Sequence, residues 1–280
     1  MANCQLCQTA LEPIPGAEQF QRCPQDYLIW NASPSTVNYE DEYFQTEYRL
    51  QYGREYLADK QSIVNKMTER WHLFKKVQKP CKDRKPRLLE LGSAAGFFLE
   101  IAKNDGWDIE GWEISQLMSE YANHHALKTK CGSFYDLIKK TPKATYGSFD
   151  CLAAFYVLEH LTEQNIFWSE ARKLLRPGGY LLLSMPSSFG PLFYFNFEKW
   201  KITHPGDHVV DYSPASLTKV AAYYGFQVSH LSIESAHPSR FGLENYGGVI
   251  YPVLKEMQKK LVFSDTFFAI LKYNPANSHG

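Results

Sequence analysis

An open α/β sheet, mostly parallel and covered by helices on both faces, is the fold class that the sequence predicts for the larger part of this 280-residue chain. Three observations predict it. From residue 85 onward, short apolar runs alternate with helical stretches. The runs are too continuously apolar to leave one face wet, as befits strands buried on both sides. The first run also leads straight into a glycine-bearing loop and a helix, Leu91-Gly92-Ser93-Ala94-Ala95-Gly96-Phe97. Sheets of this kind take their ligands beyond the carboxyl ends of the strands.

Taken in order, residues 1–38 form a cysteine-rich module. Cys4, Cys7 and Cys23 crowd the N-terminus, whereas Cys81, Cys131 and Cys151 are scattered. In a reducing compartment such a cluster suits a metal better than disulfides. Cys4-x-x-Cys7 followed by Cys23-Pro24-Gln25-Asp26 has the knuckle spacing of a zinc ribbon, with Asp26 where a fourth cysteine usually stands. Carboxylate oxygen is an acceptable zinc ligand, so two readings stay open: a structural zinc on Cys4, Cys7, Cys23 and Asp26, or a degenerate ribbon held by packing alone. Residues 39–84 read as aromatic-rich helices ending in a linker. Phe44, Tyr48, Tyr52 and Tyr56 recur every four residues, which stacks side chains on one helix face. Lys79-Pro80-Cys81-Lys82-Asp83-Arg84-Lys85-Pro86 makes a poor helix and a domain boundary.

Residues 85–280 make the main domain. Strands are expected at Arg87–Leu91, Asp108–Glu113, Lys128–Cys131, Phe149–Phe155 and Tyr180–Met185. Helices are expected at Phe97–Asn104, Ser115–Leu127 and Thr162–Leu175, the last stopped by Pro177-Gly178-Gly179. A cap insertion at about 187–212 follows, then a capped helix start at Tyr212-Ser213-Pro214. Phe226–Ile233 and Thr266–Lys272 read as the last two strands, separated by an excursion from Glu234 to Phe263 with a helix around Val253–Lys260. Acceptor contacts and a subunit interface, hence a homo-oligomer, are both open roles for that excursion.

Composition narrows the function classes. The chain is 44% hydrophobic, 15% aromatic and 21% charged, which excludes collagen-like, disordered and coiled-coil readings. Thirty basic and thirty acidic residues leave a net charge of zero. A neutral chain has no global field for a polyanion, so nucleic acid is not expected as the main partner. No apolar run reaches the ~18 residues that a membrane span needs. Met1-Ala2-Asn3-Cys4-Gln5-Leu6-Cys7 has neither a basic n-region nor an apolar h-region, so the expected compartment is the cytoplasm.

The chemistry is carried first by the loop. Gly92 allows a sharp turn, and Gly96 lets backbone approach a ligand at a helix start, where free N–H groups favour a negative group. Glu113, at the tip of the second strand, is placed to accept hydrogen bonds from ribose hydroxyls. The pair implies an adenosine-like cofactor without saying which.

Glu90-Leu91-Gly92-Ser93-Ala94-Ala95-Gly96 resembles the first motif of the class I S-adenosylmethionine-dependent methyltransferases, with Ala94 replacing its middle glycine. Gly106 to Ser115, Phe149-Asp150-Cys151-Leu152 leading to Leu158-Glu159-His160-Leu161, and Leu174 to Tyr180 are similar to the same family, over about residues 85 to 186. The resemblance implies a Rossmann-like sheet of seven strands, the last one antiparallel beside the fifth. It places Glu90 near the methionine amino end of S-adenosylmethionine, with Ser93 and Phe97 of the loop and Ile114 beside Glu113 as further cofactor contacts. Ser133 and Phe134 would border the adenine, and Phe155, Tyr156 and His160 would line the cofactor. A subgroup acting on sugars carries an N-terminal cysteine ribbon and a Tyr-x-x-x-Tyr-Phe segment, which Tyr39 to Phe44 resembles, and Tyr43 is taken toward the cofactor on that ground.

Past the fifth strand the chain turns aromatic, with Phe189, Phe193, Tyr194, Phe195, Phe197 and Trp200 either walling an acceptor pocket or packing a cap. His208 matches a histidine of the sugar-modifying relatives, and His208, His204 or His160 can take a proton from an acceptor hydroxyl. The acceptor is expected to be a small molecule, first a nucleotide-linked sugar or glycan precursor, then an aromatic, quinone-type or lipid metabolite. A nicotinamide-dependent enzyme and a catalytically silent binding protein are the rival classes.

Overall fold

The computed structural model describes residues 2–35, 44, 48–79, 83–234 and 250–277. Tyr43, with the rest of its segment except Phe44, lies outside the described residues, as does the stretch 235–249 of the excursion after the expected strand end at Ile233.

The N-terminal strands β1 (Glu12–Ile14), β2 (Ala17–Arg22) and β3 (Ile29–Asn31) form an antiparallel meander. Gly16, at φ +73°, makes its first turn. Helices α1 (Tyr48–Tyr52) and α2 (Lys60–Val77) follow. The four-residue aromatic spacing put these rings on one helix face, but Gly53 at φ +72° ends α1 between Tyr52 and Tyr56. The rings still meet: Tyr56 packs edge-on against Phe44 and against Tyr48, both at 5.0 Å.

The main sheet contains β4 (Arg87–Leu91), β5 (Asp108–Glu113), β6 (Thr129–Cys131), β7 (Phe149–Phe155), β8 (Leu175–Pro186), β10 (Phe226–Ile233) and β11 (Thr266–Tyr273). Their order is β10-β11-β8-β7-β4-β5-β6. Strands β4 to β8 pair in parallel, and β11 runs antiparallel between β8 and β10, as the resemblance implied. Alternate residues feed two cores. Leu89, Leu91, Leu152 and Ala154 pack with Trp168 and Phe167 on one face, whereas Leu88, Cys151 and Ala153 pack with Trp71, Phe74 and Trp107 on the other.

Helices α3 (Phe97–Asn104), α4 (Gln116–His124), α5 (Phe134–Lys140) and α6 (Gln164–Leu174) connect the strands. The caps explain where helices begin: the Ser115 and Ser133 side chains accept the Met118 and Asp136 amides. Pro177-Gly178-Gly179, expected as a helix stop, instead lies inside β8, which pairs from Leu175 onward with a register shift opposite Phe149 to Cys151. Gly178 at φ +82° takes up that irregularity.

Beyond β8 come α7 (Pro191–Phe195), α8 (Phe197–Thr203), the two-residue strand β9 (Val210–Asp211) and α9 (Pro214–Tyr223), then α10 (Ile250–Leu261). Strand β9 does not join the main sheet. It extends the N-terminal meander, with Ile29 opposite Asp211 and Trp30 opposite Val210. Phe193, Phe197 and Trp200 pack together, and Trp200 meets Phe20 of β2 at 4.8 Å. Half of the aromatic run is therefore the core between cap and meander, while Tyr194 and Phe195 stay exposed. No helix among the described residues is long and apolar enough to cross a membrane.

Candidate functional site

The turn after β4 is built by backbone hydrogen bonds. The Gly92 and Ser93 amides both donate to the Trp112 carbonyl of β5, at 2.8 and 3.2 Å, and the Gly96 amide donates to the Ser93 carbonyl. Gly92 (φ +66°), Ala94 (φ +44°) and Gly96 (φ +78°) all occupy the left-handed region. A methyl group added at Gly92 would come within 2.5 Å of Val157 Cγ2. At Gly96 it would meet Leu127 Cδ1 at 2.7 Å, so this glycine serves the close approach of α3 to the segment after α4. The Ser93 hydroxyl is turned beneath the loop, near enough to Gly111 that a side chain there would reach it at 2.6 Å.

Glu113 closes the turn. Its Oε2 accepts the Ala94 amide at 2.7 Å and its Oε1 accepts the Ser115 amide at 2.8 Å. Burial raises its pKa, against the stabilising amides of Ser115, Ala94 and Ile114. Glu90 lies at the end of β4, 3% exposed, with its Oε2 lacking a hydrogen-bond partner. Burial, then the Glu113 charge, hold its carboxyl well above the usual range, with Arg70 pulling the other way. Two buried acids beside one loop suit a ligand that carries positive charge rather than a pyrophosphate.

The remaining expected contacts divide. Ile114 and Tyr156 are exposed at the strand ends. Ser133 caps α5, and Phe134 is buried against Trp112 and Phe167. Phe97 stacks on Tyr56 at 5.7 Å, facing the N-terminal helices. Phe155 lies under the Arg70 guanidinium at 4.5 Å. Tyr156, at φ +57°, donates its hydroxyl to Glu234 at 2.7 Å. Glu234 also holds Arg70 through two contacts of 2.6 Å and accepts the Ser184 hydroxyl at 3.0 Å. The sequence reading missed Arg70, Ser184 and Glu234.

The three candidate histidines converge. A single turn of 3-10 helix, Leu158–His160, follows β7, and the cap brings His204 and His208 to it. The His160 and His208 rings are 4.9 Å apart, and His204 and His208 are 5.1 Å apart. Asp211 Oδ2 lies 2.7 Å from His204 Nε2 and Asp211 Oδ1 lies 3.3 Å from His208 Nδ1. Asp207 Oδ2 is 3.0 Å from His160 Nδ1. Burial opposes charge on His208, but Asp211, Glu159 and Asp207 more than offset it and raise its pKa. Burial, then the His208 charge, push His160 down to about 3. Burial pushes Glu159 up to about 7 against the His208 charge. His204 is enclosed between Phe20 (4.7 Å) and Trp200 (4.8 Å), so it braces Asp211 from inside the cap. Asp211 carried one readable signal, its place three residues after His208.

Every one of these groups follows the carboxyl end of a strand or hangs over it, where such a sheet binds ligands. A cleft of about 150 Å³ lined by Pro86, Asp150, Gly178 and Lys272 lies at the other end of the sheet, away from them.

A family model described as a methyltransferase domain matches residues 58–231, more than half of the chain. The chain belongs to the methyltransferase family. Its fold is shared with solved structures of S-adenosylmethionine-dependent methyltransferases. One is a SAM-dependent methyltransferase from Archaeoglobus fulgidus, 16% identical, with TM-score 0.56 over 82% of this chain and 99% of that one. Another is a SAM-dependent methyltransferase from Thermotoga maritima, titled as a possible histamine N-methyltransferase, 16% identical, with TM-score 0.52 over 84% and 98%. Among curated proteins the methyltransferase is similar to the ubiquinone biosynthesis O-methyltransferase of Bordetella avium, 24% identical over 51% of this chain. The matched stretch spans 63% of that relative's length.

The cofactor fits what the site presents. Glu90 Oε2, buried and without a hydrogen-bond partner, lies beside the loop, and S-adenosylmethionine brings an ammonium and a sulfonium to answer it.

Proposed function

We propose that this methyltransferase moves a methyl group from S-adenosylmethionine to a hydroxyl of a small aromatic, quinone-type metabolite. The names of the curated relatives support that acceptor, and the nucleotide-linked sugar expected first finds no support among them. Glu90 would face the methionine amino end and Glu113 the ribose, beside Ile114. Ser93, Gly96, Phe97, Ser133 and Phe134 would shape the walls rather than touch reacting atoms.

One observation carries the reading. Gly92 faces Val157 so closely that no side chain fits between them, which sets the cofactor loop against the turn bearing Glu159 and His160. Cofactor and proton-handling groups therefore share one crevice. S-adenosylmethionine supplies an electrophilic methyl group, so the chain has to align acceptor and methyl and keep water out. His208, backed by Asp211, is positioned to take the hydroxyl proton. The acceptor oxygen then bonds to the methyl carbon as the carbon–sulfur bond breaks, and the electron pair leaves on a neutral thioether.

The test is transfer of labelled methyl from S-adenosylmethionine to catechol-type phenols and to nucleotide sugars in parallel. Label on phenols alone supports the reading, while label on sugars alone would replace it. Calorimetry with S-adenosylmethionine and its demethylated product tests the cofactor separately.

For the N-terminus we propose a structural zinc on Cys4, Cys7, Cys23 and Asp26. The four ligand atoms lie within 4.8 Å of one another, and Cys4, Cys23 and Asp26 are fully buried. The Asp26 amide donates to Cys23 Sγ at 3.2 Å, and the Tyr223 hydroxyl donates to Asp26 Oδ1. Three thiolates with one carboxylate make a closed set suited to zinc. Metal analysis of the purified chain, with and without Asp26→Ala, checks it.

A further inference from the structure

We propose that Glu159, His160 and His208 form a second metal site, one for a divalent first-row transition ion placed over the acceptor's oxygen. Its role rests on the methyl-transfer reading above, though its existence does not.

The argument begins with Glu159. The residue is 2% exposed, and both of its carboxylate oxygens lack a hydrogen-bond partner. Burying such a group without donors is costly, and a native fold rarely tolerates it without a purpose. The nearby donors are imidazoles: one ligand atom from each of Glu159, His160 and His208 lies within 4.8 Å of the others. Ligands about 2.0 to 2.2 Å from a shared ion stand roughly 3 to 3.5 Å apart, so binding requires the three side chains to turn inward by rotation about their χ angles.

Each imidazole is also set up as a ligand. Asp207 stands behind His160 Nδ1 and Asp211 behind His208 Nδ1, the carboxylate backing that fixes ring orientation at metal centres. Either ring can then present Nε2 to the ion. Asp211 is held in turn by His204. The set His204, His208 and Asp211 also lies close together, but its ring and carboxylate atoms already bond one another, so it serves as the outer support. The Val209 amide donates to the Glu159 carbonyl at 2.8 Å, tying the cap segment to the strand-end turn. An ion held there would clamp the two together.

Two imidazole nitrogens and one carboxylate suit manganese, iron, cobalt or zinc and leave coordination positions open. An acceptor hydroxyl bound at an open position becomes more acidic. Its proton passes to solvent, its oxygen bonds to the methyl carbon, and the sulfonium leaves as a neutral thioether, so the lost positive charge reappears as the released proton. With the ion bound, His208 serves as a ligand and the ion activates the hydroxyl; in the metal-free chain His208 takes that proton directly.

The experiment is a Mn2+ titration of the chelator-treated full chain, followed by electron paramagnetic resonance of the free ion. Mn2+ is chosen because it is a poor match for the thiolates of the cysteine cluster. The wild-type chain is expected to bind one Mn2+, and Glu159→Gln and His208→Asn to lose at least about tenfold in affinity with the same circular dichroism. Asp211→Asn is expected to weaken binding by about 10- to 100-fold through ring orientation. Should a variant not fold, spin-echo modulation from imidazole nitrogen on wild-type-bound Mn2+ reads the same ligands, and its absence overturns the site. A wild-type chain that takes no Mn2+, or variants that titrate like wild type, also overturn it. Heat from S-adenosylmethionine without Mn2+ binding sinks the metal site alone, whereas Mn2+ binding without that heat sinks the methyl-transfer reading alone.

Discussion

At Gly92 one absent methyl group lets the glycine loop after β4 and the turn after β7 touch. Gly92→Ala is expected to destabilise the chain by about 2 to 4 kcal/mol, from left-handed strain together with overpacking against Val157. Val157→Ala in the same chain should recover the packing part and leave the backbone part, as a double-mutant cycle in denaturant would read. Glu234 makes a different prediction. Burial would raise its pKa, but Arg70, Lys66 and the Tyr156 hydroxyl hold it down at about 2, below the ordinary 4.5. A depressed carboxylate stabilises the fold above its unfolded pKa, so this contribution is present above pH 4.5 and fades as pH falls toward 2. Glu234→Gln should flatten that acid limb and cost about 3 to 5 kcal/mol at neutral pH, since Arg70 would remain buried without its partner. At the crevice, His208→Ala is expected to leave S-adenosylmethionine binding intact and to slow turnover, measured by calorimetry alongside label transfer. Glu90 and Glu113 were legible because each stands at a fixed offset from a glycine in one short stretch. Arg70 and Glu234 were not, because their pairing spans 164 positions and nothing local in either segment announces the other.

Elements were legible where they carry their own signals. β4, β5, β7 and α3 match the sequence boundaries residue for residue, since unbroken apolar runs and adjacent turns define them locally. β8 begins five residues before its expected start because pairing with β7 carries the chain through glycines that would end a helix. Strand β9 could not be read at all: two residues hold no periodicity, and only the edge of β3 makes them a strand. α5 went unread because it is short, though Ser133 caps it. In the cap, sequence could not separate pocket wall from packing, and the structure gives Phe193, Phe197 and Trp200 to packing. Trp200→Ala is therefore expected to cost about 3 to 5 kcal/mol and to make the cap more sensitive to limited proteolysis. Binding of S-adenosylmethionine should persist, because the glycine loop lies outside that cluster.

For the whole molecule, the cysteine cluster and the histidine cluster are joined through one small sheet. β3 pairs with β9, and Asp211 of β9 orients His208. If the proposed structural zinc is present, removing it with a chelator is expected to lower the thermal midpoint and slow the proposed methyl transfer while leaving cofactor affinity nearly unchanged, a split that melting curves and calorimetry can measure on one preparation. The same pairing sets a schedule for biosynthesis. Three strands of the meander are made before the main sheet, yet the fourth is made only after the sheet's five parallel strands. Until Val210 and Asp211 emerge, the backbone edge of β3 has no mate, and a nascent chain stalled before that point would offer it to any passing strand.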